Sequence, residues 1–171
     1  MLKSLALAAF ALVLAAPAMA QPNTSASVTA TLTIPTILHI GVSSSAVAFT
    51  GNYAAYESGY ASGSATTTVG HRGNVRHSVS LASTAATFTA TNPTPTSTTD
   101  PARTNKPASD LTYQVGSGAW TGVSTTAATV VSGASRGSHT GPTVGYRVAL
   151  AYAQDTPGTY TLGLTYTIAA D

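Results

Sequence analysis

Apolar and polar residues alternate with a period of two along most of this chain, and helical periodicity is nearly absent. The clearest run closes the sequence. Tyr160, Leu162, Leu164, Tyr166 and Ile168 alternate there with Thr159, Thr161, Gly163, Thr165 and Thr167. Near the start, Val28, Ala30, Leu32 and Ile34 alternate with Thr29, Thr31 and Thr33. Between these runs the pattern predicts strands at 37–42, 46–50, 75–81, 86–90 (centred on Phe88), 111–115, 128–131 and 144–152. A Pro/Gly-containing connection, AQDTPG, separates 144–152 from 159–168. It predicts that those two long runs pair as a hairpin.

Nine or ten strands at this spacing predict an all-β, antiparallel sandwich or barrel. One face of each strand is apolar and the other carries Thr and Ser, as expected of a sheet packed on one side and wet on the other. Threonine supplies β propensity on the wet face. Two stretches break the rhythm. Residues 91–110 are rich in Pro, Thr and Ser and read as a long exposed loop. Residues 51–63 space Tyr53, Tyr56 and Tyr60 at three and four, which fits one helical turn.

The first residues change the picture of where the chain works. A basic start at Lys3, an apolar run over 5–17 and small residues at Ala18 and Ala20 match a secretory leader, with cleavage expected before Gln21. The run is shorter than the ~20 apolar residues that span a bilayer. The expected mature chain is then one domain, residues 21–171, secreted to the periplasm, cell surface or medium, with no membrane span after cleavage. It contains no cysteine, so disulfides cannot stabilise it. Only 7% of residues are charged, against ~25% in ordinary soluble domains. The net charge of +2 falls by one when Lys3 is removed, so nucleic acid is not an expected partner.

Candidate chemistry is sparse. His71 and His77 lie close in sequence beside Arg72 and Arg76, yet no cysteine, no His-x-His and no carboxylate in the next twenty residues joins them. A zinc site needs three or four ligands, so no metal is expected. His77 shares a face with Val75 and Val79, which predicts a partly buried, hydrogen-bonded ring. No Gly-x-Ser-x-Gly elbow is present, and the few carboxylates fall mostly in loops, so no enzyme activity, catalytic residue or cofactor is expected. Tyr113, Tyr146, Tyr152, Tyr160 and Tyr166 sit on apolar faces and read as core. Tyr53, Tyr56, Tyr60 and Trp120 form a candidate stacking platform for a glycan.

Two segments carry a resemblance. TLTIPTILHIGVSSSAVAF near the start and YAQDTPGTYTLGLTYTI at the end resemble bacterial exported sandwich proteins of the spore coat U and fimbrial-subunit kind. The closing strand is also similar to that of WxL cell-wall domains. The resemblance implies an immunoglobulin-like, Greek-key fold and a surface role. Two functions are then expected to compete. One is a non-enzymatic surface, coat or fimbria-like structural protein that assembles with itself or other surface proteins by strand addition, with Val28, Ala30, Leu32 and Ile34 as the exchanged strand. The other is a carbohydrate- or protein-binding module of adhesin type, using the tyrosine loop and Trp120.

Overall fold

A computed structural model describes residues 27–94 and 103–171. The expected leader, its cleavage site and the middle of the Pro/Thr-rich loop lie outside the described residues. Contacts divide the chain into Met1–Ile34 and Pro35–Asp171, and every strand among the described residues belongs to the second unit. That unit is all-β and antiparallel, as the alternation predicts.

In chain order it comprises β1 (Leu38–Val42), a single short helix α1 (Tyr53–Ser58), β2 (Tyr60–Ser62), β3 (Thr67–Gly73), β4 (His77–Ser83) and β5 (Thr89–Thr91). A 3-10 turn (Ala108–Asp110) leads into β6 (Leu111–Val115). Then come β7 (Thr121–Gly122), β8 (Ala128–Ala134), β9 (Gly137–Ala149), β10 (Thr159–Thr161) and β11 (Leu164–Ala170). The helical turn anticipated from the tyrosine spacing forms because Asn52 caps it. The Asn52 side chain accepts from the Ala55 N–H, and Gly59 ends the helix at φ 77°.

The larger sheet runs β1-β3-β9-β6-β7, with β2 also on β9. A second sheet runs β11-β4-β8, and β10 pairs with β5. Both larger sheets supply inward residues to one apolar cluster. Val69, Val144, Tyr146 and Val148 come from the first, and Val79, Leu81 and Val130 from the second. The Tyr146 and Tyr166 hydroxyls meet between them at 2.5 Å. A bulge at Thr68/Gly70 shifts the β3–β9 register. Gly141 lies opposite it, where any Cβ would drive into the Val69 carbonyl.

Five sequence expectations are corrected. Residues 27–36 form no strand, because alternation marks which face a strand would bury without supplying a neighbour to pair with. Residues 46–50 form none either. Ala48 bonds Ser64 through both its N–H and its carbonyl, so one residue takes the place of a ladder. The hairpin expected between 144–152 and 159–168 does not exist: β9 pairs with β2, β3 and β6, while β10 and β11 pair with β5 and β4. The Gln154 and Asp155 N–H groups bond the Ala151 carbonyl and curl the connection. Tyr152 is exposed rather than core, because that curl carries it onto Tyr56. Finally, the part of 91–110 that is described is no exposed loop around Lys106 and Ala108, both buried.

Candidate functional site

A groove of about 980 Å³, open to solvent, is walled mainly by apolar side chains. Val47 and Phe49 stand on one side, and Tyr160, Leu162, Leu164 and Tyr166 on the other. Its geometry follows from strand pairing. β11 is the edge of its sheet, with β4 as its one ladder partner. Its inward residues Leu164, Tyr166 and Ile168 are only half-buried, whereas Thr165 and Thr167 on the other face are exposed. The alternation in this strand thus has the orientation read from sequence, but its apolar face is incompletely covered. Desolvation and the Tyr146 hydroxyl push the Tyr166 phenol above its usual range, so it stays neutral and hydrogen-bonded.

A polar cluster closes one end of the groove. Lys106, 3% exposed at its side chain, donates from Nζ to Asp110 Oδ2 (3.0 Å), Asp155 Oδ1 (2.9 Å) and the Ala149 carbonyl (2.8 Å). All three ammonium protons are thereby used. Arg103 reaches the same two carboxylates, at 2.5 Å to Asp155 and 3.4 Å to Asp110. Burial alone would raise the Asp155 carboxyl. Lys106, the Ala151 N–H and Arg103 outweigh it and hold Asp155 below the ordinary carboxylate range. Two cations balance two anions here, which is how buried charge becomes tolerable. The sequence offered no signal for this cluster beyond four charges scattered over residues 103–155.

The candidate platform for a glycan is split. Tyr60 and Trp120 come together on the outer face of the larger sheet, flanking Arg147, whose guanidinium carbon lies 4.9 Å and 4.3 Å from their ring centroids. Tyr56 instead stacks on Tyr152, with centroids 4.7 Å apart, and Tyr152 donates to Glu57. Tyr53 is exposed. The residues expected to exchange a strand, Val28, Leu32 and Ile34, are exposed too, at 93%, 82% and 67%, as is Ala30.

His77 is buried and hydrogen-bonded, as its place beside Val75 and Val79 implies. His71 meets it ring to ring, and β9 adds His139, a third histidine that sequence distance had hidden. Among the described residues, no group of three or more potential ligands has geometry that could hold a metal. No protein-family model matches the chain, and no curated protein is significantly similar to it in sequence.

Proposed function

We propose that this chain is a secreted, non-enzymatic structural protein of a bacterial surface, coat or fimbria-like assembly. In this reading residues 21–171 form an immunoglobulin-like β-sandwich once the leader is removed. Copies join by strand addition, Val28, Ala30, Leu32 and Ile34 of one copy occupying the groove of the next. The observation that carries the reading is the open groove, along which an edge strand leaves its apolar face partly exposed. A seven-residue segment with exposed alternating apolar side chains supplies a matching occupant, about 23 Å long when extended. Backbone pairing would use the β11 edge that carries no ladder, and each large apolar residue would contribute ~1.5–3 kcal/mol on burial. Size-exclusion chromatography of the mature chain tests it. A ladder of oligomers that Leu32→Lys collapses to monomer is expected, and a monomer at all concentrations would contradict it.

The competing reading, a glycan- or partner-binding module, has Tyr60, Arg147 and Trp120 in its favour. Trp120 is the one tryptophan of the chain, so its fluorescence reports directly on that face. A glycan that shifts the emission without altering the oligomer ladder would favour this reading.

A further inference from the structure

Three of the four histidines of the chain meet where β3 crosses over into β4. His71, on β3 of the larger sheet, and His77, on β4 of the other, are 4% and 0% exposed. His71 Nδ1 lies 2.8 Å from His77 Nε2. His139, directly opposite His71 in the β3–β9 register, stacks on it with centroids 5.2 Å apart and an interplanar angle of 24°. A single side-chain bond between two imidazoles therefore ties the two sheets together at this end.

The proton positions follow from the partners. His77 Nδ1 is 2.9 Å from the Val75 carbonyl, which can only accept, so Nδ1 carries the hydrogen. In the neutral ring, Nε2 is then the acceptor, and His71 must donate to it from Nδ1. His139 Nε2 lies 2.8 Å from the Ser135 carbonyl and carries its hydrogen there. The cluster is thus satisfied with all three rings neutral. One added proton can go to His71 Nε2 and keep the bond, at the cost of a buried charge. A proton on His77 Nε2 destroys the acceptor, and a second cation beside the first is repelled.

Burial and the two neighbouring rings oppose a proton on His71, and further charged or titratable groups lie on the adjoining elements. From β3 and the β3–β4 turn come Arg72 and Arg76, and from the β8–β9 turn Arg136. β1 contributes His39. Beyond β11, Asp171 contributes a carboxylate, already engaged by Arg76 and Ser78.

We propose that His71, His77 and His139 form a proton-operated latch that holds the β3–β4 crossing closed at neutral pH and releases it on acidification. Burial, and then the neighbouring His77 and His139, lower the His71 pKa. The latch therefore contributes its full stability above the ordinary histidine value of ~6.5 and loses it as pH falls below that. Proton uptake at His71 changes the opening equilibrium by up to about tenfold per pH unit. This inference is independent of the surface-assembly reading.

Nitrogen-detected NMR of the imidazoles at pH 7.5 should find Nδ1–H rings at His71 and His77 and an Nε2–H ring at His139. An Nε2–H ring at His77 would overturn the assignment, as would stoichiometric zinc raising the melting temperature. Amide hydrogen exchange between pH 7.5 and 5, corrected for the intrinsic rate, gives the second readout. Protection in β3, β4 and the first half of β9 should fall by up to about thirtyfold while β6 holds. His139→Phe keeps the stacked ring and removes one of the two imidazoles that disfavour a proton on His71, so its pH dependence should be shallower. Uniform loss across all strands, or an unchanged slope in His139→Phe, would sink the latch.

Discussion

β4 and β11 are neighbours in one sheet, each seven residues long and each alternating, with Leu81 directly opposite Tyr166. Yet His77, Val79, Leu81 and Ser83 of β4 are all buried, while Leu164, Tyr166 and Ile168 of β11 pack against the core but stay partly exposed. The difference lies in neighbours. β4 has a ladder on both edges, with β11 and β8, and β11 has a ladder on one. Burial in a sheet is set by how many strands flank a residue as well as by the face it occupies. The closing strand therefore carries core-grade side chains into a half-built environment, and the groove is the consequence.

The comparison can be broken hardest at the polar end of the groove. Replacing Lys106 by Ala removes one cation and leaves Asp155 buried with two of the three partners of its side chain. About 3–5 kcal/mol of destabilisation is expected by denaturant unfolding. The same cluster sets an acid limit. Because Asp155 is held below its ordinary value, its contribution is complete above pH ~4 and disappears as pH falls further, toward its own depressed pKa. Asp155→Asn should flatten that acid limb of the stability profile, and an unchanged limb would remove the cluster from the account.

Leucine truncation sharpens the contrast between the two strands. Leu81→Ala should cost about 2–5 kcal/mol, the usual range for a fully buried leucine. Leu164→Ala should cost roughly half as much in the monomer, because fewer atoms lose contacts. Equal costs would mean that β11 is as enclosed as β4. The smallest effect is expected on the threonine face. Thr165→Lys should change monomer stability by less than about 0.5 kcal/mol, since an exposed side chain gives up no packing. A larger loss would show that the threonine face is covered.

Much of the sheet was legible in the residues themselves. Val79 and Leu81, Tyr113 and Tyr146 lie on the faces that alternation assigns to them. Pairing was less legible, since period two is blind to which strand lies alongside. β9 and β11 therefore read as a hairpin when they belong to different sheets. The buried ion cluster escaped because Pro, Thr and Ser around Lys106 read as loop, and no local pattern announces partners as distant as Asp155. His139 escaped for the same reason: only the β3–β9 register places it against His71. The proposed exchange strand was legible as a pattern, but the groove that would take it depends on three-dimensional pairing alone.

The central proposal is that the partly exposed face of β11 seats the segment Val28–Ile34 from another copy, and the lack of native cysteine makes it directly measurable. Leu32→Cys and Leu164→Cys combined in the mature chain should form disulfides between copies on mild oxidation. A reducible ladder of covalent oligomers is expected, with each single variant giving dimers at most. A doubly substituted chain that stays monomeric under oxidation, whether with free thiols or with the bond closed inside one molecule, would contradict the account.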